Sequence, residues 1–242
     1  MYAIETKNLT KKYRDVVAVD NLNLSVNEGE LLSLLGVNGA GKTTTIKMLS
    51  CLTKPTSGDA FLKGNSICKD SAKVKSLIAV SPQETAVAPG LSVLENLEFM
   101  CGVHGFSKQK QKEKIDELIC LLDLHEIINK KAGKLSGGWQ RRLSIALALI
   151  SEPEILFLDE PTLGLDVLVR SEMWELIRSL KGKVTIILTT HYMEEAQALS
   201  DRVAIMKKGK LILCDTADEI MRIAGTDNFE QAFVNIVKGA EK

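Results

Sequence analysis

The stretch Gly36-Val37-Asn38-Gly39-Ala40-Gly41-Lys42-Thr43 constrains this chain more than any other, because it follows the apolar run Leu31–Leu35 and precedes a helix-forming segment. It predicts a buried strand that runs into a glycine loop and opens a helix, with the spacing G-x-x-x-x-G-K-[ST]. Glycines let such a loop wrap its backbone N–H groups around an anion, where side chains would block the approach. Lys42 then brings a point charge to the β- and γ-phosphates, and Thr43 offers a hydroxyl to magnesium. The first turn of the helix directs its positive end to the same place. The stretch therefore predicts a nucleoside triphosphate bound with Mg²⁺. A chance glycine turn before a lysine is the bland alternative, and the strand before and helix after it argue against that reading.

Bulk properties narrow the class. The chain has 242 residues, 45% of them hydrophobic and 26% charged, enough for a large domain or two small ones around a substantial core. Lys+Arg and Asp+Glu both number 31, so no bulk charge draws it to nucleic acid or anionic lipid. The start Met1-Tyr2-Ala3-Ile4-Glu5 lacks a basic-then-apolar leader, and no run approaches the roughly 20 apolar residues of a membrane helix. A cytosolic protein is expected. Five cysteines, odd in number, widely spaced and without a C-x-x-C pair, indicate neither a disulfide framework nor a zinc site; most are expected in the core.

Along the chain, Ala3–Thr6, Val16–Val19 and Leu22–Val26 alternate like half-buried strands, predicting an antiparallel β layer beside the nucleotide core. Tyr13 lies between two of them in Lys11–Arg14, where a ring can stack on a flat base or simply face solvent. The helix after the loop is expected to end near Cys51, followed by a turn at Pro55–Asp59 and strands Ala60–Leu62 and Ile78–Ser81. Gln83, just beyond, offers a carbonyl oxygen suited to a hard cation.

From about Glu84 to Leu149 the β signal disappears. Ser92-Val93-Leu94-Glu95 is a capping box, Ser107 caps a second helix with Ile115, Leu118, Ile119 and Leu122 on one face, and the charged start 108–113 reads as solvated. Residues 84–150 are expected to form a helical subdomain inserted into an α/β core made of 1–83 and 151–215, with a helical segment at 216–242. The insertion ends in Leu135-Ser136-Gly137-Gly138-Trp139-Gln140, with Ser136 placed as an N-cap and two glycines leaving the first N–H groups open. That is a second anion site or a flexible hinge. Two such helix ends in one chain suggest that each grips a different part of one ATP across a dimer.

Ile155–Leu158 is an apolar strand ending in Asp159-Glu160, carboxylates at the end of a buried parallel strand, where α/β sheets bind ligands. Asp159 is read as holding the magnesium shell and Glu160 as orienting or deprotonating the attacking water. Gly164-Leu165-Asp166 is a tight turn with an exposed acid. His191 lies just beyond the strand Val184–Leu188, within reach of a γ-phosphate or its water, whereas His104 and His125 are expected on the surface. A hairpin at Lys207–Lys210, a helix capped by Thr216 and an amphipathic helix from Phe229 to Val237 complete the chain.

The order of Gly36–Thr43, Gln83, Leu135–Gln140, Ile155–Glu160, Gly164–Asp166 and His191 resembles the nucleotide-binding subunit of an ATP-binding cassette (ABC) transporter over nearly the whole chain. The resemblance implies a P-loop NTPase core with a mainly parallel sheet, an N-terminal antiparallel β layer and an inserted helical subdomain. It implies Tyr13 as the adenine-stacking position. Gly36, Asn38, Gly39, Ala40, Gly41, Lys42, Thr43 and Thr44 would form the Walker A loop. Gln83 would ligate Mg²⁺ and face the membrane partner, while Ser136, Gly137, Gly138 and Gln140 would form the signature that closes over the other subunit's ATP. Asp159 and Glu160 would be the Walker B pair, Asp166 the cross-dimer loop acid and His191 the switch histidine. Trp139 and Arg141 depart from the family's usual choices, beyond the groups that would touch phosphate.

Gly164-Leu165-Asp166, the run His191–Ala196 and the short C-terminal helix resemble most the export branch associated with drugs, antibiotics, lipids and polysaccharides. The implied function is an ATPase that pairs head to tail with a second ATP-binding subunit, a copy or a paralogue. It would drive a separate integral membrane permease from the cytoplasmic face. The alternative is a soluble, non-transport ABC ATPase such as an assembly scaffold. Tandem and DNA-associated forms need a second motif set or a long coiled-coil insertion, and this chain has neither. A pure ATP-binding regulator would lack the base or the switch, whereas Glu160 and His191 are present.

Overall fold

Alternation near the N-terminus produces an antiparallel sheet. A computed structural model describes residues 2–239; Met1 and residues 240–242, which close the expected N- and C-terminal segments, lie outside the described residues. Strand β1 (Tyr2–Tyr13) pairs with β2 (Val16–Leu22) and β3 (Ser25–Asn27). The glycine-loop strand β4 (Leu31–Leu35) and helix α1 (Lys42–Leu49) follow, and the chain then returns with β5 (Ser57–Leu62) and β6 (Asn65–Ser66) to give the order β2-β1-β5-β6.

These strands differ from the predicted ones. Lys11, Lys12 and Tyr13 belong to β1, because they pair with Val19, Val17 and Val16 across a hairpin. The expected Leu22–Val26 strand is split in two by Thr6, whose hydroxyl accepts from Leu24 N–H and donates to Leu22 O, both within 2.9 Å. Strand β5 starts at Ser57 rather than Ala60, since Ser57 and Asp59 find partners in Thr10 and Lys7.

The second sheet is where the fully apolar runs go. After α2 (Ser71–Leu77) and β7 (Ile78–Ser81) the chain forms α3 (Val93–Val103), α4 (Lys108–Leu122) and α5 (Gly137–Leu149), with short 3₁₀ turns before α5. Then β8 (Ile155–Asp159), α6 (Val167–Leu180), β9 (Thr185–Thr190) and α7 (Met193–Leu199) alternate, before β10 (Arg202–Lys207), β11 (Lys210–Asp215), α8 (Ala217–Ala224) and α9 (Phe229–Gly239). The order is β11-β10-β4-β9-β8-β7, parallel except for the β10–β11 hairpin. Every residue of β4, β8 and β9 is buried, the burden that a parallel sheet covered on both faces places on its sequence.

Three clusters hold these layers together. One joins α3, α4, α5 and α6 to one face of the parallel sheet, and a second fills the space between the two sheets around Ile46, Met48 and Phe157. The third seats Ile220, Phe229, Ala232 and Phe233 on Leu35, Val203 and Ile205, so the C-terminal amphipathic helix docks on its own chain. Of the cysteines only Cys101 is buried; Cys68 and Cys120 are exposed, contrary to the expectation that most fill the core. Cys120 faces out because Leu118 and Leu122 take the inward positions of α4, and Cys68 lies in the turn after β6. Among the described residues no helix is long and apolar enough to cross a membrane.

Candidate functional site

The register of the parallel sheet brings three strand ends together: Leu35 pairs with Thr190, and Asp159 with Thr189. The loops leaving β4, β8 and β9 therefore open on one edge, the carboxyl side where parallel sheets present ligand sites. A cleft of 790 Å³ lies there, lined by residues 38–44, Gln83, Glu160 and His191, with Val16, Val17 and Ala18 of β2 as its outer wall.

The glycine loop is tightly built. Gly41 caps α1 at φ 105°, and a Cβ there would stand 2.5 Å from Ala18 O, so both conformation and space demand glycine. Lys42 curls back over the loop, donating to Gly36 O at 2.7 Å and Val37 O at 3.3 Å, with Nζ 3.8 Å from Glu160 Oε1. Burial pushes its pKa down, while Glu160 and Asp159 pull the other way.

Asp159 is buried at the end of β8. Its Oδ1 accepts from Thr43 Oγ1 at 3.2 Å and Thr189 Oγ1 at 2.5 Å. Glu160 follows at φ 49°, a left-handed conformation held because its N–H bonds Thr189 O and Thr189 Oγ1. That bend separates the two acids: Asp159 faces Thr43, while Glu160 stands between Lys42 and His191, with Oε2 3.3 Å from His191 Nδ1. The histidine packs against Tyr192, ring centroids 4.2 Å apart, and Nδ1 makes no hydrogen bond.

The oxygens of Thr43 and Asp159, with Gln83 on the same cleft, form a hard donor set that fits Mg²⁺. No group of three or more His, Cys, Asp or Glu able to hold a metal occurs among the described residues, so a cation here would complete its shell with ligand oxygens and water.

Other predicted positions lie apart. Tyr13, 44% exposed with Lys11 Nζ 4.9 Å from its ring centre, is not part of the cleft lining; its ladder partner Val16 is. Ser136, Gly137, Gly138 and Gln140 form the start of α5 and are not among the lining residues. Ser136 has N-cap backbone geometry, yet its side chain makes no capping bond, and Gln140 Nε2 donates to Ala132 O and Leu135 O. Asp166 caps α6, accepting from Leu168 N–H and Val169 N–H at 3.0 Å each. The sequence did not mark Thr189, which ties Asp159 to the turn at Glu160, and it marked Arg141 only as a departure from the family's usual choice, not as the residue that is buried and bonded to the main chain at Gln83. Thr189 had one visible signal, a hydroxyl directly after the apolar run Ile186–Leu188.

A glycine loop on a buried parallel strand, with a carboxylate-bearing strand near it in the same sheet, defines the P-loop NTPase fold. The chain belongs to the ABC transporter family, whose model matches residues 19–163, a span that includes the glycine loop, Gln83, the start of α5 and the Asp159–Glu160 pair.

Among its relatives are the human phospholipid-transporting ATPase ABCA3, 42% identical over 88% of this chain, and the probable multidrug ABC transporter ATP-binding protein YbhF of Escherichia coli, 40% identical over 99%. The chain spans only 13% and 42% of their lengths. It spans 72% of the daunorubicin resistance ATP-binding protein DrrA3 of Streptomyces coeruleorubidus, to which it is 39% identical over 94% of its own length. A solved ATP-binding subunit of an ABC transporter superposes with a TM-score of 0.85 at 26% identity, covering 97% of this chain and 99% of that one. A dimeric ATP-binding cassette in a post-hydrolysis state, bound to ADP and Pi, superposes with a TM-score of 0.78 at 28% identity, covering 88% and 98%.

Proposed function

We propose that this chain binds and hydrolyses ATP as the motor part of an ABC transporter, paired head to tail with a second cassette around two ATP and acting on a membrane permease at the cytoplasmic face. The observation that carries the reading is the convergence of Lys42, Thr43, Gln83, Glu160 and His191 on one cleft, with Asp159 buried behind Thr43. The dimeric, ADP-bound relative supports the paired arrangement. The relatives named for multidrug and daunorubicin resistance support export, and favour transport over the assembly-scaffold alternative.

In this reading the loop 36–44 wraps the phosphates, and Lys42 neutralises the β- and γ-groups. Thr43, Asp159 and Gln83 hold Mg²⁺, which supplies further charge neutralisation on the phosphates. Glu160, placed between a fixed cation and His191, orients the attacking water and accepts its proton; His191 steadies the γ-phosphate side of the cleft. The open N–H groups at the start of α5 receive the phosphates held by the other cassette. Val16 and Val17 present an apolar wall to the base, with Tyr13 paired to Val16 across the hairpin.

The test is steady-state hydrolysis beside ATP binding for Glu160→Gln. Loss of a general base lowers turnover by about 10²–10⁴-fold while binding stays at the wild-type level. Full turnover would remove Glu160 from its role, and failure of the wild-type chain to bind Mg-ATP would sink the reading altogether. The same variant, held in its ATP-bound state, is the bait for recovering the permease from gently solubilised membranes.

A further inference from the structure

Arg141 belongs to none of the groups that face the cleft, yet it is only 5% exposed. It sits in the second turn of α5, and its guanidinium reaches the chain just past the end of β7. Nη1 donates to Pro82 O at 2.5 Å and Nη2 to Gln83 O at 2.6 Å. One turn further along α5, the hydroxyls of Ser144 and Ser81 are 3.0 Å apart, so the same helix is also tied to the last residue of β7.

Burying a guanidinium on neutral acceptors is a costly way to fill space, and an apolar side chain of similar volume would do it with less penalty. Burial pushes the Arg141 pKa down, and Asp159 and Glu160 are the charges that oppose this. What the arrangement supplies is geometry. Two donors in a rigid plane, received by two consecutive carbonyls, hold in place the two peptide groups that flank Gln83, Pro82–Gln83 and Gln83–Glu84. Because the fork engages only the main chain, it leaves the Gln83 side chain to line the cleft.

We propose that Arg141 is a positioning residue: its fork on the Pro82 and Gln83 carbonyls sets where the Gln83 amide stands for the cation, and so joins the start of α5 to the cleft of its own chain. This rests on the reading of Gln83 as a magnesium ligand. A lysine at 141 keeps the charge but has a single rotating ammonium, so it holds one carbonyl and not the plane.

The experiment uses Mn²⁺ as the probe, titrated by its EPR signal onto the ATP-loaded protein, for wild type, Arg141→Lys, Arg141→Gln and Gln83→Ala. Loss of an outer partner of a metal ligand weakens metal binding by about 10- to 100-fold, and both Arg141 variants are expected in that range. ATP affinity measured in EDTA should stay within about twofold of wild type, because the Lys42 loop is untouched. Hydrogen exchange across residues 82–90 should quicken in the same variants while the rest of the chain keeps its protection. Wild-type Mn²⁺ affinity in Arg141→Lys and Arg141→Gln, with Gln83→Ala weakened, overturns the role of Arg141 alone. Wild-type affinity in Gln83→Ala overturns the ligand reading beneath it. If Arg141→Gln does not fold, Arg141→Lys carries the test.

Discussion

At the scale of single residues, Glu195 shows what a charged letter conceals. It lies four positions after His191, and the sequence presents it only as one letter of the run His191–Ala196; the fold encloses it completely. Its Oε1 accepts from Thr162 Oγ1 at 2.7 Å and Trp174 Nε1 at 3.1 Å, while Oε2 has no partner. Burial raises its pKa above the ordinary 4.5, and the hydroxyls of Thr190 and Thr162, the Trp174 N–H and the charge of Arg170 offset part of that rise. A raised folded-state pKa means that the protonated form fits the fold better. The stability that Glu195 contributes is therefore fully present below the unfolded value and is lost as pH climbs through the folded one. Glu195→Gln cannot ionise and should lack this loss. Denaturant unfolding between about pH 4 and 8 should show wild type falling relative to the variant as pH rises; the opposite slope would refute the assignment. Lys42, Thr43 and Asp159 were legible because their chemistry comes with a fixed spacing on a strand and a loop. Glu195, Thr189 and Arg141 were not, because their partners lie 21 to 59 positions away and nothing local marks a polar side chain as buried.

At the scale of elements, the contact between α5 and α6 gives Gly138 a second reason to be glycine. The sequence explains it as a gap that leaves N–H groups open. In the fold a Cβ at 138 would stand 2.4 Å from Val169 Cγ1 but 3.7 Å from Val169 Cβ, whereas one at 137 would meet nothing closer than 4.0 Å. Val169 lies in the first turn of α6, the turn capped by Asp166, so the start of α5 and the Asp166 loop are locked by one close approach. Gly138→Ala should therefore destabilise the chain by about 1–3 kcal/mol, the range for an overpacked methyl. Val169→Ala, which removes both γ-carbons, should recover most of that loss in the double variant. A neutral Gly138→Ala, or a double variant no better than the single one, would refute the packing account. The same distinction explains which elements were legible. Apolar runs announce β4, β8 and β9 wherever they pair, and the stripe Leu143, Leu147 and Ile150 announces α5. Strands β1 and β5 were drawn too short because their ends are fixed by cross-strand partners, Tyr13 of β1 by Val16 across the hairpin and Ser57 of β5 by Thr10, and not by their own alternation.

At the scale of the whole molecule, the two helix starts that the sequence offers as anion sites stay apart within one chain: α1 opens on the cleft, and α5 begins outside its lining. If each ATP is gripped by the α1 loop of one copy and the α5 start of another, two different defects should complement each other. Lys42→Ala removes the cation of the first grip. Ser136→Asp leaves α5 with a favourable N-cap, so the helix stays formed, but sets a carboxylate where a phosphate should approach. A homodimer of either variant carries the same defect in both sites, and hydrolysis should fall by about 10²–10³-fold, as for a lost charge-stabilising group. In a mixed dimer one site collects both defects, and the other combines the intact Lys42 loop of one chain with the intact Ser136 start of its neighbour. Co-expression with two tags followed by sequential purification isolates that species. With random pairing half the dimers are mixed, so the unfractionated pool should regain up to about a quarter of the wild-type sites, and the purified mixed dimer about half. A mixed dimer no more active than either parent would mean that productive sites are not shared between copies, and the head-to-tail arrangement would have to be abandoned while the cleft chemistry of Lys42, Asp159 and Glu160 stood on its own test.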